Sequence, residues 1–197
     1  MAIGSLILTY FVSHYGIQAV AGYGIGYRVE QLMLLPALGL STAVLALVSN
    51  NFGAKKYDRV IETLKVSLKY GFIIATIGII FLTILGRLII SLFDSNPIVV
   101  DFGVSYLLIE IWIFYAYIIL FVCISTLQAI KQPKMLLYIG IYRQIFAKLI
   151  IAYLIVKYFE LDFIYLWFGI LFMIYSAAIF AYFYTNKLLK EILNKSL

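Results

Sequence analysis

Charged residues are scarce in this chain of 197 residues, at 12% of the sequence. A soluble domain carries about 25%, so this chain has too few polar side chains to cover a globule in water. Hydrophobic residues make up 65% of the sequence, and the mean hydropathy is +1.06. The composition therefore excludes an ordinary soluble fold and indicates a protein that is surrounded by lipid.

Residue types that usually carry enzymatic or metal chemistry are also scarce. The chain has one histidine, His14, and one cysteine, Cys123, which lie far apart in the sequence. The motifs of zinc peptidases, serine hydrolases and nucleotide-binding loops do not occur in it. We therefore expect no enzyme, no metal centre and no bound cofactor.

Long apolar runs account for most of the sequence. A helical span needs roughly 20 apolar residues to cross a bilayer core, and five such spans are predicted at residues 31–53, 70–93, 111–130, 135–156 and 163–186. A sixth segment, residues 1–12, is apolar but short, and we expect it to be a truncated first helix. Because the runs are continuous rather than alternating, they predict an all-α bundle of six transmembrane helices and not a β-barrel.

Basic residues are concentrated in alternate connections between the predicted spans. Ten of the fifteen lie after the second helix, after the fourth helix and in the tail. They are Lys55, Lys56, Arg59, Lys65, Lys69, Lys131, Lys134, Lys187, Lys190 and Lys195. Since cytoplasmic loops are enriched in Lys and Arg, we expect a cytoplasmic C-terminus. Topology and anionic lipids then explain the net charge of +6, and no nucleic-acid partner is needed.

The longest polar connection, residues 50–69, has the pattern of a short amphipathic helix on the membrane surface. Its apolar side chains, such as Val60 and Leu64, are expected to face lipid, while its basic side chains face water.

Pro36 lies inside the second predicted span, and Gly39 follows three residues later. Proline removes one backbone hydrogen bond and usually kinks a helix. In transporters such bends act as hinges, and a static kink is an equally good interpretation here. Gly22 and Gly26 lie four residues apart, which predicts close contact with another helix.

Ionisable residues within or near the spans are candidates for a function, because each costs about 2.5–3.5 kcal/mol at mid-bilayer. Arg143 is the deepest of them, and we expect it to face the bundle interior or a cavity. Glu110 is expected toward the outer end of its span, and Lys148 can extend to the interface. Arg28 and Glu30 flank the second span, where an interfacial role explains them equally well.

Three stretches around the second span form a recognisable set. They are GIGYRVEQL at residues 24–32, LPALGLS at residues 35–41 and NFGAKKYDR at residues 51–59. Together they resemble the multidrug and toxic compound extrusion (MATE) family. The segment TLQAIKQP at residues 126–133 resembles the turn after that family's tenth helix. The resemblance covers essentially residues 1–197, and it implies a single transmembrane helical lobe, the C-terminal half of a twelve-helix fold.

The resemblance also implies a function. MATE proteins are secondary active transporters, and a prokaryotic member exports drugs or organic cations across the plasma membrane in exchange for Na⁺ or H⁺. The partners would be membrane lipids, the substrate, and a second six-helix lobe supplied by an N-terminal half or by a homodimer partner. A lipid-linked saccharide flippase of the same superfamily stays open as an alternative, and so does a non-transporting fragment or assembly subunit.

The candidates for a substrate or ion cavity are polar and aromatic residues of the spans. They are Glu30, Gln31, Glu110, Tyr117, Arg143 and Gln144. Many relatives carry acidic residues in their seventh and tenth helices. By an ungapped count these positions fall at or before Met1 and near Tyr117, and neither residue is acidic. The ion ligands of the family are therefore not carried over to this chain.

Overall fold

The computed structural model describes residues 2–196, which form helices and no strand. The first half of the chain contains α1 (Ala2–Val12), α2 (Ile17–Met33), α3 (Leu35–Gly53) and α4 (Tyr57–Ser91). The second half contains α5 (Pro97–Glu110), α6 (Ile113–Ala129), α7 (Pro133–Ile141), α8 (Ala147–Tyr153) and α9 (Phe163–Ser196). A 3₁₀ turn, Ser13–Tyr15, joins α1 to α2, and π-helical segments, Tyr142–Phe146 and Leu154–Tyr158, precede and follow α8.

Helices α2 and α3 form one apolar span, Ile17–Gly53, which a turn at Leu34 interrupts. Its 37 residues reach about 55 Å at the rise of an α-helix, well beyond a bilayer core of about 30 Å. The predicted start at residue 31 was therefore wrong. Arg28 and Glu30 end the charge-free run, but the helix continues through both of them, so Glu30 lies inside the span.

Helices α5 and α6 form a broken span, bent by 51°. The span predicted at residues 111–130 therefore begins earlier, at Pro97. Glu110 is the last residue of α5 and lies at the bend, so the prediction that placed it toward the outer end of a span was wrong. At the same bend, the Tyr175 hydroxyl donates a hydrogen bond of 2.8 Å to the backbone carbonyl of Trp112.

Helix α4 is continuous over 35 residues, from Tyr57 to Ser91. Val60 and Leu64 are 1% and 2% exposed, so the prediction that they face lipid from a separate surface helix was wrong. They contact the bundle. The opposite face of α4 exposes large apolar side chains, as expected for contact with acyl chains. These are Tyr70, Ile73, Ile77, Ile80, Ile84 and Leu88.

Close contact between α2 and α5 depends on glycine. A Cβ atom at Gly22 would lie 2.6 Å from the carbonyl oxygen of Val99, and one at Gly26 would lie 2.5 Å from Cδ1 of Tyr106. The predicted role of Gly22 and Gly26 in close helix contact is therefore confirmed. Helix α6 lies at the centre of the bundle, packed against α3, α4 and α9, and the Ser41 and Ser125 hydroxyls join α3 to α6 at 2.6 Å.

The turn before α2, the first half of α5 and the connection before α9 meet at one end of the bundle. The Tyr15 hydroxyl donates a hydrogen bond of 2.7 Å to the carbonyl of Leu161, and Tyr15, Asp101 and Asp162 line a common surface cavity. Burial, followed by the charge of Asp162, raises the pKa of the Tyr15 phenol. The phenol therefore stays protonated as the donor of this link at neutral pH.

Candidate substrate and ion site

Arg143 and Gln144 lie in the π-helical segment between α7 and α8, where the Ala147 N–H bonds to the Tyr142 carbonyl five residues earlier. Such π-bulges are frequent at functional sites. Helix α1 covers this segment closely: a Cβ atom at Gly4 would lie 2.7 Å from Oε1 of Gln144 and 3.2 Å from the Lys148 amino nitrogen. The side chains of Gln144 and Lys148 thus share one narrow space under α1.

Two buried carboxyl groups face a small cavity between α2, α5, α6, α8 and α9. Glu30 and Glu110 are each 3% exposed, and the Tyr106 hydroxyl donates a hydrogen bond to the Glu30 carboxylate. We call this space, about 20 Å³ in volume, the carboxylate cavity. Its polar and aromatic wall consists of Tyr23, Tyr27, Glu30, Tyr106, Glu110, Tyr117, Lys148 and Trp167.

Three buried polar atoms in this wall have no hydrogen-bond partner within the described part of the chain. They are the Tyr23 hydroxyl, Oε1 of Glu110 and Nε1 of Trp167. Because buried polar groups are normally paired, three unpaired atoms around one cavity indicate a binding site for a small polar molecule or an ion. A volume of about 20 Å³ is large enough for one water molecule.

A second small cavity, about 30 Å³ in volume, adjoins the first. We call it the guanidinium cavity, because Arg143 lines it. The Arg143 guanidinium carbon lies 5.6 Å from the centre of the Tyr117 ring, within the range of a cation–π contact. Its other lining residues are Tyr27, Gln31, Leu34, Tyr117, Gln144 and Lys148. Tyr27, Tyr117 and Lys148 therefore belong to both cavities.

All six predicted site residues line one or both of these cavities. Glu30, Glu110 and Tyr117 line the carboxylate cavity, and Gln31, Arg143, Gln144 and again Tyr117 line the guanidinium cavity. Their role in transport stays a prediction. The structure adds Lys148, which lines both cavities. The sequence left two interpretations of Lys148 open, a functional residue or a side chain that extends to the interface.

The spacing of Arg143 and Lys148 in the sequence does not by itself place them at one site. Five residues apart on an ideal α-helix, two side chains point about 140° away from each other. The π-helical segment Tyr142–Phe146 inserts an extra residue into the turn and brings both side chains toward the same interior. Two basic residues within one predicted span were the available signal.

The predicted hinge residues lie near the site but do not line it. Pro36 is the second residue of α3 and is exposed, and a Cβ atom at the exposed Gly39 would meet no atom within 4 Å. Leu34, at the turn between α2 and α3, lines the guanidinium cavity. The hinge therefore stays a prediction.

A larger groove has a different, apolar lining. It measures about 500 Å³ and lies between α7 and α9, where Met135, Tyr138, Ile139, Ala177 and Phe180 make it mostly apolar. None of the four buried or half-buried ionisable side chains described above lines it. An apolar groove suits acyl chains better than a charged solute.

Comparison with known proteins identifies relatives of this chain. The MatE family model matches residues 1–154. The probable multidrug resistance protein YoeA of Bacillus subtilis is 28% identical over 112 residues, which is 57% of this chain and 24% of that protein. The FAD transporter of Shewanella oneidensis is 26% identical over 150 residues, 76% of this chain and 33% of that protein. The multidrug export protein MepA of Staphylococcus haemolyticus is 32% identical over 100 residues, 51% of this chain and 22% of that protein.

Solved structures match almost the whole chain. A MATE transporter in complex with MaL6 superposes with a TM-score of 0.92 at 19% identity, covering 98% of this chain and 44% of that one. A MOP superfamily transporter from Pyrococcus furiosus superposes with a TM-score of 0.91 at 19% identity, covering 98% of this chain and 43% of that one. The predicted fold class, an all-α membrane bundle that corresponds to one lobe of the MATE fold, is confirmed. The chain spans less than half the length of these structures and a third or less of the curated relatives.

Proposed function

Because the chain belongs to the MatE family, we propose that residues 1–197 form one lobe of a secondary active transporter. A second lobe of similar size would complete a cavity that opens alternately to the two sides of the membrane. That lobe is either an N-terminal half or a second copy of this chain. The transporter would lie in a prokaryotic plasma membrane, with the basic connections and the C-terminus on the cytoplasmic side.

We propose further that the transporter exports drugs or organic cations in exchange for Na⁺ or H⁺. The observation that carries this proposal is the pair Glu30 and Glu110, two carboxyl groups buried in the interior of membrane spans. Such groups are costly and usually serve ion or substrate pathways. The rings of Tyr27 and Tyr117 lie beside them and provide aromatic faces that attract cations.

The geometry suggests how exchange would work. The carboxylates bind the coupling cation in one orientation of the two lobes, and the substrate is released when that cation occupies the site. Rocking of the lobes about the site would change its access. Pro36 and Gly39 follow the turn at Leu34, so bending there would move a wall of the guanidinium cavity.

A second candidate substrate is an anionic, pyrophosphate-bearing molecule. Arg143 and Lys148 both line the guanidinium cavity, and a guanidinium group binds phosphate through two parallel hydrogen bonds. One relative is an FAD transporter, and lipid-linked saccharides also carry phosphate. Two carboxylates next to the same cavity oppose an anion, which is why the cationic substrate is preferred.

The test is export from bacterial cells that lack their own drug exporters and that express this chain together with a second lobe. Glu30→Gln and Glu110→Gln are each expected to lower the rate of ethidium export at least about tenfold, because each removes a buried charge that binds the cation. The matched control is Glu62→Gln, which removes an exposed carboxylate paired with Arg59 at 2.9 Å.

Three results would contradict this function. Export that is unchanged in both Gln variants would overturn the role of the carboxylates. Transport of FAD but not of ethidium, with a loss in Arg143→Gln, would favour the anionic substrate. A chain that exports nothing with any second lobe would favour a non-transporting fragment or an assembly subunit.

A further inference from the structure

The carboxylate cavity and the guanidinium cavity are lined by equal numbers of acidic and basic side chains. Glu30 and Glu110 supply two carboxyl groups, and Lys148 and Arg143 supply two basic groups. Lys148 lines both cavities, which places a basic side chain in the same wall as the two carboxyl groups. An added metal cation would be a third positive charge in a region with little water, where charges are poorly screened.

The unpaired atoms of the carboxylate cavity do not form a metal-ion shell. Nε1 of Trp167 is a hydrogen-bond donor only, and it is fully buried without a partner. A hard cation requires several oxygen ligands and is repelled by an N–H group. Within residues 2–196 there is also no cluster of three or more His, Cys, Asp or Glu residues that could hold a metal ion.

The same three atoms match the hydrogen bonds of one water molecule. Water can accept hydrogen bonds from Nε1 of Trp167 and from the Tyr23 hydroxyl, and it can donate one to Oε1 of Glu110. All three groups line the same cavity of about 20 Å³, which has room for a single water. Such a water would sit next to a free carboxylate oxygen and could deliver a proton to it.

We propose that this site exchanges a proton rather than a sodium ion, and that Lys148 is the positioning residue that excludes sodium by acting as a built-in cation beside Glu30 and Glu110. This inference rests on the proposed function, since it specifies the ion that the same site exchanges. Proton uptake breaks one O–H bond of hydronium in bulk water and forms one on a carboxylate oxygen. Release returns the proton to water by the reverse transfer, with no change of oxidation state. A proton binds to one carboxylate oxygen. It therefore needs no set of vacant ligands, and no hydrated metal ion has to lose its water.

The groups that face Glu110 come from every helix around the cavity. Those from α2 are Tyr23, Tyr27 and Glu30, and those from the other helices are Tyr106, Tyr117 and Lys148, with Arg143 in the adjoining cavity. No histidine faces Glu110 from this wall. Glu30 and Glu110 are the two carboxyl groups of the set, and any proton response of the site is assigned to them.

Trp167 provides a direct readout of the cavity. The chain has two tryptophans, so Trp112→Phe leaves Trp167 as the single tryptophan, which is excited selectively at wavelengths that tyrosine does not absorb. In the full chain carrying Trp112→Phe, reconstituted in lipid vesicles, acidification is expected to change Trp167 fluorescence. Replacing potassium by sodium at constant ionic strength is expected to leave it unchanged. Glu110→Gln should lose most of the pH response.

Variants of Lys148 test the exclusion of sodium. Lys148→Met is expected to give a sodium response whose half-saturating concentration is at least about tenfold below any in the parent, because a vacated cation position accepts an added cation. Lys148→Arg keeps the charge and should remain indifferent to sodium. Lys157→Met, at an exposed lysine of the same span, is the matched control and should behave as the parent.

Sodium-dependent fluorescence with Lys148 intact would overturn the proposal. So would a Lys148→Met chain that keeps its pH response and ignores sodium. If Lys148→Met does not fold, the sodium response of Lys148→Gln is compared with that of the parent instead. Export by the parent chain under a sodium or a proton gradient is a second, independent measurement. Export driven by a sodium gradient alone would refute the proton and leave the proposed function standing. A normal titration without export under any gradient would refute the function and leave the proton site standing.

Discussion

Tyr106 is the residue on which the position of Glu30 depends. Its hydroxyl donates the hydrogen bond to the Glu30 carboxylate. The centre of its ring lies 4.5 Å from the centre of the Trp167 ring in an edge-to-face contact. Tyr106 thus joins a carboxyl group of α2 to the aromatic wall that α9 provides.

Replacing Tyr106 by Phe removes one oxygen atom and keeps the ring. The change leaves the buried Glu30 carboxylate without its donor, which costs about 1–3 kcal/mol. We expect a lower midpoint of thermal unfolding and an export rate reduced about tenfold. The measurements are thermal unfolding of the purified chain and ethidium export with a second lobe.

The control is Tyr115→Phe, which removes an exposed hydroxyl that lies 2.9 Å from the Thr76 hydroxyl. It should change neither quantity appreciably. Equal losses in Tyr106→Phe and Tyr115→Phe would mean that the link to Glu30 has no special importance.

Among the helices, the contact between α2 and α5 depends on glycines, which have no side chain to separate the two backbones. Gly22 of α2 approaches the backbone of α5 so closely that a Cβ atom would lie 2.8 Å from the Gly103 nitrogen. Gly24, two residues later, has open space around its Cα. One helix therefore offers a test position and a matched control.

Gly22→Ala is expected to destabilise the bundle by about 1–3 kcal/mol, because the methyl group forces two backbones apart. Gly24→Ala should raise stability by about 0.5–1 kcal/mol, since alanine loses less conformational freedom in a helix. Thermal unfolding in one detergent compares the two changes. The account of this contact fails if Gly22→Ala is as stable as Gly24→Ala.

Transmembrane helices could be predicted from the sequence more accurately than the residues at which each of them begins and ends. Charge-free runs located five spans, but Arg28 and Glu30 ended one run inside a helix that begins at Ile17. Asp101 and Glu110 concealed the first half of the broken span α5–α6 in the same way. A count of apolar residues cannot distinguish a charge that ends a helix from a charge that the folded bundle buries.

The candidate site was predictable as a set of residues and not as a geometry. Arg143 and Glu110 stood out because ionisable residues are rare within membrane spans. Their meeting with Glu30 and Lys148 depends on the bend at residues 111–112 and on the π-helical segment before α8. Neither feature has a local sequence pattern of the kind that marks a helix cap or a turn.

At the scale of the whole molecule, the bundle has one charged interior and an apolar exterior. The ionisable side chains of Glu30, Glu110, Arg143 and Lys148 meet between α2, α5, α6 and α8, whereas α4 and α9 expose rows of large apolar side chains. A lobe built in this way fits a lipid environment on its outside. We propose that a second lobe completes the transport pathway.

The most direct test of the proposed transport is gradient-driven uptake into proteoliposomes that contain the chain and a second lobe. With an outwardly directed proton gradient, we expect uptake of ethidium above the level of empty vesicles and a loss of that uptake in both Glu30→Gln and Glu110→Gln. Uptake that equals the empty-vesicle level under every imposed cation gradient, with both lobes present and folded, would contradict it.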